Sequence, residues 1–275
     1  MTAGFDLEQG TYRTPPRQLS AFARMSPSTR FYVSFVPLVL RCARLARRGG
    51  YDAEAWVQSS HDLRSRLEWV GVQISADGLE HVAALDGPCV FVANHMSLLE
   101  ALVLPGFIQP LTPVTFVVKE TLGTYPVFKH IMLAREPILV SRTDPRADFQ
   151  TVMEQGKREL DSGRSMIIFP QTTRTLVFDR KQFNSIGVKL ARRAGVPVVP
   201  IAIRSDAWAM SKHFVKDLGR IDPSIPVRFA FGAPIPVTGR GTEAQERSVD
   251  FIESHLTAWG SQIAPADVVA ETASG

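Results

Sequence analysis

A histidine and a glutamate five positions apart are the clearest candidates for chemistry in this 275-residue sequence. Both belong to the segment Asn94-His95-Met96-Ser97-Leu98-Leu99-Glu100, which follows an apolar run. Five positions along a continuous helix would separate the two side chains by about 140°. They can meet if His95 precedes the helix and the chain turns at Ser97, and Glu100 would then fix the tautomer of a general base. Alternatively, Glu100 is only the capping-box partner of Ser97, and His95 is an ordinary polar residue.

Cationic side chains follow two other apolar runs. One run ends in Phe169-Pro170-Gln171-Thr172-Thr173-Arg174-Thr175, and another ends in Lys119-Glu120. A guanidinium group binds phosphate through two hydrogen bonds and keeps its charge, so hydroxyl groups beside Arg174 predict an anion site. The alternatives are an arginine in an exposed polar loop and an ordinary surface pair of Lys119 with Glu120.

The elements that position these groups are apolar runs alternating with helical patterns. Continuous apolar strands of this kind predict an α/β fold with a mostly parallel central sheet flanked by helices. In such sheets, functional groups collect at the carboxyl ends of the strands, where His95, Lys119 and Arg174 all fall. The expected strands are 89–93, 115–118, 138–140, 166–169, 198–203 and 227–231. The expected helices are 98–107, 127–134, 148–161, 186–194 and 243–263.

The region before this sheet is predicted to contain helices at 28–48 and 53–70 and a short hairpin over 72–85, with its turn at Asp77-Gly78. Residues 1–25 are rich in Thr, Pro, Ser and Arg and are expected to lack regular structure. The predicted organisation is a disordered start with a basic, apolar membrane-docking helix (1–48), one α/β domain (49–263) and a disordered tail (264–275).

The first 48 residues hold more than the whole positive excess of the chain. They carry eight arginines against two acidic residues, whereas the net charge of the full sequence is +4. The apolar run 31–40 precedes Arg41, Arg44, Arg47 and Arg48; it is too short to span a bilayer and lacks the cleavage site of a secretory signal. A helix in the head-group region of an anionic leaflet and a helix packed on the domain's own core both fit this pattern.

Composition excludes several classes of protein. An apolar fraction of 45% and a charged fraction of 21% are typical of a globular chain. Cys42 and Cys89 stand far apart, which excludes a CxxC motif and a disulfide framework and favours a reducing compartment. Because metal-ligand spacings, a G-x-S-x-G elbow and a Walker loop are missing from the sequence, we expect no metal, serine nucleophile or nucleotide hydrolysis.

Four segments, in order, resemble the glycerophospholipid acyltransferases, the lysophosphatidic acid acyltransferase-like superfamily. The segment from Asn94 to Glu100 resembles the family's NHxSxxD block, here in an HX4E form, and 169–175 resembles FPEGTRS. Residues 115–122 are similar to the F-x-x-K-x-x-L block, and 194–203 to the G-V-P-V-V-P strand. The N-terminal helices resemble the region with which bacterial members dock on the membrane.

The resemblance implies an O-acyltransferase of membrane lipid biosynthesis. It would move a fatty acyl group from acyl-CoA or acyl carrier protein to a lysophospholipid hydroxyl, by default that of 1-acylglycerol-3-phosphate. His95 would remove the hydroxyl proton, Glu100 would orient His95, and Arg174 with Lys119 would bind the acceptor's phosphate. The remaining substrate-binding residues would be Gln171, Thr172 and Thr173, and the supporting residues Asn94, Ser97, Pro170 and Pro197. The expected partners are an anionic membrane surface and these substrates, without cofactor or nucleic acid, and the expected location is peripheral, on the cytoplasmic face of the inner membrane.

Two departures from the family pattern leave alternatives open. Glu100 is one methylene longer than the family's aspartate, and Gln171-Thr172 replaces Glu-Gly, which removes a negative charge and adds bulk near the ligand. The acceptor could be another lysophospholipid or an amino-lipid alcohol. A lipid-binding protein without turnover and a lipid hydrolase that uses water are the remaining alternatives.

Overall fold

A computed structural model describes residues 5–6, 9–121, 128–171, 173–211 and 218–265. Its strands form a nine-stranded sheet and a small two-stranded sheet. The strands are β1 (Phe5–Asp6), β2 (Thr11–Arg13), β3 (Ile74–Asp77), β4 (Val90–Ala93), β5 (Val114–Lys119), β6 (Ile138–Val140), β7 (Ser165–Ile168), β8 (Val177–Phe178), β9 (Val198–Arg204), β10 (Val227–Phe231) and β11 (Gln262–Ile263). The helices are α1 (Ala21–Met25), α2 (Pro27–Arg47), α3 (Ala53–Glu68), α4 (Leu79–Ala83), α5 (Leu99–Ile108), α6 (Phe128–Leu133), α7 (Pro145–Asp161), α8 (Ile186–Ala194) and α9 (Thr242–Ala258).

The large sheet has the strand order β1-β2-β3-β10-β9-β4-β7-β5-β6. Its strands β9, β4, β7, β5 and β6 are parallel to one another, so their carboxyl ends lie along one edge. Strand β10 is antiparallel to β9 and parallel to β3, and β2 is antiparallel to β3. The predicted α/β class with a mostly parallel sheet is confirmed, and all six expected strands are present.

Alternate residues of the central strands belong to two cores, one on each face of the sheet. In β4, Phe91 and Ala93 pack in the core that includes residues of α2, α3 and α5. Val90 and Val92 pack in the other core, with residues of α7, α8 and α9. Because both faces are covered, the central strands are apolar throughout rather than alternating, which is why their pattern could be recognised in the sequence.

The expectation that residues 1–25 lack regular structure is wrong where the structure describes them as β2 and α1. Strand β2 pairs with β3, and the backbone N–H of Thr14 donates to the carbonyl of Ile74 over 3.0 Å. Tyr12 is buried, and its hydroxyl donates to the carboxylate of Glu68 on α3. These contacts attach the N-terminal segment to the edge of the sheet, so it is part of the folded domain.

The predicted hairpin over 72–85 is also wrong, because helix α4 takes the place of its second strand. Gly78 has a φ of +82°, and a Cβ at this position would lie 2.0 Å from the carbonyl oxygen of Phe231. The chain therefore turns closely over the end of β10, which is the parallel partner of β3. Pairing with β10 leaves no place for a hairpin partner on that side of β3.

The C-terminal helix is shorter than expected. Helix α9 ends at Ala258, and Gly260 has a φ of +71°, a conformation that ends helices readily. Ile263, which the sequence assigned to the helix, instead pairs with Phe178 as part of β11. Three other predictions lie outside the described residues: Thr172, the helix start at residue 127, and the tail beyond residue 265.

Helix α2 has two apolar faces. Phe31, Phe35 and Leu38 are buried in the core, and the ring of Phe31 packs edge-on against Trp208 with centroids 4.9 Å apart. Val33, Val36 and Leu40, on another face of the same helix, are 63%, 50% and 48% exposed. The helix thus packs on the domain's own core and also presents apolar side chains outward. Among the described residues, none of the helices has the length and apolarity needed to cross a bilayer.

Candidate active site

The side chains of His95 and Glu100 meet at the carboxyl end of β4. The Nδ1 atom of His95 lies 2.9 Å from Oε1 of Glu100. Five residues separate Ala93, the last residue of β4, from Leu99, the first residue of α5, and the chain turns within them. This is the geometry that the sequence required for the pair, with His95 before the helix and Glu100 in its first turn.

Glu100 is fully buried and accepts five hydrogen bonds. Its Oε1 accepts from His95 Nδ1 and from the backbone N–H groups of Met96 (2.6 Å) and Ser97 (2.8 Å). Its Oε2 accepts from the hydroxyl groups of Ser97 (2.8 Å) and Ser205 (2.6 Å). Burial alone would raise the pKa of Glu100, but the bonds from His95, Ser205 and the Ser97 N–H outweigh it and lower the pKa. Glu100 is therefore a carboxylate at neutral pH.

The charge of Glu100 decides the tautomer of His95. A carboxylate can only accept hydrogen bonds, so Nδ1 of His95 must carry the proton that points at Oε1. The lone pair of the neutral ring is then on Nε2, which faces away from Glu100. The side chain of His95 is 17% exposed, so part of the ring is accessible from the surface.

The two interpretations of Glu100 that the sequence left open are both realised. Oγ of Ser97 accepts from the backbone N–H of Leu99 (3.1 Å), and Glu100 accepts from the N–H of Ser97, which together satisfy N-terminal donors as a capping box does. Ser97 lies one residue before the N-cap position of α5, occupied by Leu98. The same carboxylate thus caps the N-terminus of α5 and fixes the ring of His95.

The loop after β7 fixes the backbone and the ring of His95. Oε1 of Gln171 accepts a hydrogen bond from the His95 N–H (2.7 Å), and the His95 carbonyl accepts from the N–H of Thr175 (3.0 Å). The ring of Phe169 stacks on the imidazole with centroids 4.2 Å apart. Gln171 was expected to bind substrate, but its side chain is 2% exposed and engaged with His95. The structure therefore makes Gln171 a support for the histidine.

The four predicted supporting residues differ in position. Asn94 exchanges two hydrogen bonds of 2.8 Å with the backbone of Ile203, so its amide ties the end of β4 to β9. Ser97 contacts Glu100 as described, and the carbonyl of the buried Pro170 accepts from the Asn184 side chain. Pro197 lies at the amino end of β9, where its carbonyl accepts from the N–H of Val90. Because the site is at the carboxyl end of these strands, Pro197 is not part of it.

Three cationic side chains lie along the same sheet edge. Lys119 is the last residue of β5 and is the register partner of Val140 in β6, two residues before Arg142. Partial burial and repulsion from Arg174 lower the pKa of Arg142, so the two positive charges interact. The guanidinium group of arginine keeps its positive charge in proteins. Interacting guanidinium groups of this kind are a candidate site for a doubly charged anion.

The backbone at Arg142 is held in an unusual conformation. Its φ of +60° is in the left-handed region, which non-glycine residues seldom adopt. The carboxylate of Asp148, in the first turn of α7, accepts from the N–H groups of Ser141 (2.8 Å) and Arg142 (2.7 Å). These bonds stabilise the turn after β6 that carries Arg142.

Sequence reasoning missed Ser205 and Arg142. Ser205 is completely buried one residue after β9, and Arg142 is the second residue after β6. Both follow expected strands, so a search of every strand end, rather than of three, would have found them. Thr173 is exposed in the loop before Arg174.

Comparisons with known proteins agree with this site. Residues 73–204, which contain the histidine, the carboxylate and both arginines, match the family model described as Acyltransferase. The chain is 29% identical over 192 residues to the 1-acyl-sn-glycerol-3-phosphate acyltransferase of Pseudomonas aeruginosa strain PAO1, covering 70% of this chain and 69% of that protein. Residues 73–204 form a domain of the acyltransferase family, and the chain is similar to the lysophosphatidic acid acyltransferase-like glycerophospholipid acyltransferases. It is an acyltransferase.

A second sequence relative and a solved structure match different shares of this acyltransferase. It is 30% identical over 126 residues to the chloroplastic 1-acyl-sn-glycerol-3-phosphate acyltransferase BAT2 of Brassica napus, a match that spans 46% of this chain and 36% of that relative. The solved structure of the 1-acyl-sn-glycerophosphate (LPA) acyltransferase PlsC from Thermotoga maritima aligns with a TM-score of 0.64 at 17% identity. That alignment covers 86% of this chain and 96% of the other, and it bears out the α/β fold.

Substitution of Ser205 in the acyltransferase tests whether the hydroxyl group positions Glu100. We expect Ser205→Ala to lower kcat by about tenfold, because a hydrogen bond to a charged group contributes about 1.5–3 kcal/mol and this one holds the carboxylate that orients His95. The KM values should change by less than about twofold, since Ser205 acts through Glu100 rather than on substrate. Steady-state kinetics of the purified variant measures both.

The matched control is Ser248→Ala, which removes an equally buried hydroxyl group whose hydrogen bond is to the carbonyl of Ala244 in α9. It should destabilise the fold to a similar extent and leave kcat near the wild-type value. Equal kcat values for Ser205→Ala and Ser248→Ala would contradict a positioning role for Ser205.

Proposed function

We propose that this acyltransferase moves a fatty acyl group from an acyl thioester to the free hydroxyl group of a lysophospholipid, by default 1-acylglycerol-3-phosphate. The observation that carries the proposal is the His95–Glu100 pair, with its 2.9 Å hydrogen bond, on the same sheet edge as Arg142 and Arg174. The activity named for the relatives from P. aeruginosa and B. napus supports the same acceptor.

The proposed reaction uses His95 first as a base and then as an acid. Nε2 of His95 takes the proton of the acceptor hydroxyl while its oxygen attacks the thioester carbonyl. The tetrahedral intermediate then expels the thiolate, which takes the proton from Nε2, so the ring returns to its starting state. Glu100 stabilises the transient imidazolium through the Nδ1 hydrogen bond, and general-base catalysis of this kind contributes about 10²–10⁴-fold.

Acyl-CoA and acyl carrier protein are the two donors compatible with this scheme. Both present the acyl group as a thioester, which is already activated, so the reaction needs no acyl-enzyme and no bound cofactor. The enzyme's remaining contribution is to hold two amphiphilic substrates so that the hydroxyl group and the thioester meet beside Nε2.

The test of this reaction is a panel of donors and acceptors on the purified protein. We expect thiol release from acyl-CoA or acyl carrier protein to require an added lysolipid, and His95→Ala to lower it by about 10²–10⁴-fold. Mass spectrometry of the lipid products identifies the acceptor. His81→Ala, at a partly exposed histidine in α4, is the control and should behave as wild type. Thiol release without any acceptor would instead identify a hydrolase, and full activity of His95→Ala would rule out the proposed base.

The proposed contact for the acceptor's phosphate is the pair Arg142 and Arg174, with Lys119 on the neighbouring strand. A phosphate monoester carries close to two negative charges at neutral pH, and it would relieve the repulsion between the two guanidinium groups. Hydrogen bonds from both arginines would hold the phosphate at one end of the acceptor and leave its hydroxyl group free to approach His95.

Removal of either arginine should weaken acceptor binding specifically. We expect Arg142→Gln and Arg174→Gln each to raise the KM for 1-acylglycerol-3-phosphate by about tenfold, because each loses charge-assisted hydrogen bonds to the phosphate. The KM for the acyl donor should stay within about twofold of the wild-type value. Arg192→Gln, on the exposed last turn of α8, removes the same charge away from this edge and serves as the control. A rise in the donor KM alone would assign the arginines to the donor.

We also infer peripheral binding to the cytoplasmic face of the inner membrane through α2. The support is the exposed apolar stripe of Val33, Val36 and Leu40, followed on the same helix by exposed arginines. An amphipathic helix of this composition binds in the interface of an anionic leaflet by burying its apolar face among the head groups. A cytoplasmic location also agrees with the free thiols of Cys42 and Cys89.

Replacement of the stripe tests the membrane contact. We expect the triple variant Val33→Ser, Val36→Ser, Leu40→Ser to co-sediment at least about tenfold more weakly with phosphatidylglycerol-containing vesicles, because the apolar area that would enter the bilayer is lost. The control carries Leu139→Ser and Phe149→Ser, which alter comparably exposed apolar residues of β6 and α7. Equal binding of the triple variant and wild type would mean that the membrane contact is elsewhere.

A further inference from the structure

A cavity lies between the end of α2 and the beginning of α3. Its volume is about 370 Å³, within the range of pockets that hold small molecules. Arg41, Arg44 and Arg48 line it on the α2 side. Its other walls include Leu45 and Ala55, which are apolar. We call this cavity the arginine groove; it shares no lining residue with the candidate active site.

The arginine groove is positively charged. Asp62 pairs with Arg41 and also accepts a hydrogen bond from Gln58 (2.9 Å), so Arg41 is held at the rim. Arg44 and Arg48 are exposed, and the lining as the structure describes it contains no carboxylate. Burial raises the pKa of Tyr51, so this lining phenol is neutral at physiological pH and does not offset the arginines.

The α3 side of the groove is preformed. The hydroxyl of the buried Tyr51 donates to Oγ of Ser59 over 2.6 Å, and Ser59 in turn donates to the carbonyl of Trp56 over 2.8 Å. This wall therefore needs no rearrangement to accept a ligand, which lowers the cost of binding. Charge and preformed shape together indicate a discrete anion site rather than a diffuse basic surface.

The apolar surroundings of the groove indicate that the anion is part of a lipid. Leu45 is 39% exposed and lines the groove beside Arg44 and Arg48. The exposed residues Val36 and Leu40 lie on the preceding turns of the same helix. A free phosphate ion would gain nothing from these side chains, whereas a phospholipid would bury its glycerol and first methylene groups against them.

We propose that the arginine groove binds the head group of one intact anionic phospholipid of the bilayer, with the phosphate between Arg44 and Arg48. This inference rests on one part of the proposed function, the peripheral binding of the enzyme to a membrane that contains such lipids. The bound lipid is not a substrate, because none of the residues that line the groove belongs to the His95 site. It holds the α2–α3 end of the protein at a fixed depth in the membrane.

The experiment is a calorimetric titration of the full-length protein with short-chain phosphatidylglycerol below its critical micelle concentration, without acyl donor. We expect saturable binding by wild type. Inorganic phosphate should bind about tenfold more weakly, since the burial of one or two methylene groups contributes about that factor. Equal affinities for phosphate and lipid would overturn the lipid assignment.

Two double variants with the same change in charge distinguish the groove from general attraction. Arg44→Gln with Arg48→Gln alters the lining and should lower the lipid affinity by about tenfold or more. Arg24→Gln with Arg47→Gln alters exposed arginines of α1 and α2 outside the lining and should lower it less than about threefold. Equal losses in the two double variants would overturn the proposal, because they would show only long-range attraction.

A third variant tests the shape of the groove without changing its charge. Ala55→Phe inserts a ring into the cavity and should lower the lipid affinity by about tenfold, since the ring displaces the buried methylene groups. Unchanged affinity in this variant, with its fold checked by circular dichroism, would overturn the proposal. Arg174→Gln and His95→Ala should both bind the lipid as wild type does, so a failure of the proposed reaction leaves this measurement interpretable.

Discussion

The geometry of the active site depends on one buried charge, the carboxylate of Glu100. A charged group with no exposed surface is stable only if hydrogen-bond donors replace the water it has lost. The donors come from the loop after β4, the first turn of α5, and Ser205 after β9. Because these segments must converge on two oxygen atoms, the relative positions of β4, β9 and α5 are mutually constrained. The same carboxylate also dictates that the proton of the neutral His95 ring is on Nδ1 and the lone pair on Nε2.

The parallel sheet makes that convergence possible. Strands β4 and β9 pair in register from Val90 with Val198 to Ala93 with Ile201, and the amide of Asn94 continues the ladder by bonding to the backbone of Ile203. The next residues on both strands, His95 and Ser205 among them, therefore emerge side by side. On the other side of β4, strand β7 delivers the loop that bonds to the His95 backbone. The histidine is thus held between two neighbouring strands, with helices on both faces keeping water from the strands beneath it.

The sequence predicts the strands and the His–Glu pair well, because both depend on local patterns: continuous apolar runs and a turn forced by a five-residue spacing. Ser205 and Arg142 depend instead on strand order. A single serine or arginine after a strand is common, and it becomes significant only when β9 lies beside β4 and β6 beside β5. The resemblance of 169–175 to the family's FPEGTRS block implies that Gln171 binds substrate, but its side chain instead accepts a hydrogen bond from the backbone N–H of His95, which only the fold brings close. Residues 11–13 form too short a strand to show any periodicity, and their partner, Glu68, is more than fifty residues away.

The buried carboxylate of Glu100 and the arginines at the same sheet edge differ in how far their surroundings stabilise their charges. Glu100 receives donors from every side, and its pKa is lowered despite burial. Arg142 and Arg174 instead repel each other, and the turn that carries Arg142 has a left-handed backbone that Asp148 must stabilise. Strained backbone and opposed like charges each raise the energy of a fold, and both are characteristic of sites that bind a ligand of opposite charge. A phosphate between the guanidinium groups would turn their repulsion into two attractions. If His95 is the base, the protein alone organises it, whereas the arginines on the neighbouring strands would reach their lowest energy only with a bound anion.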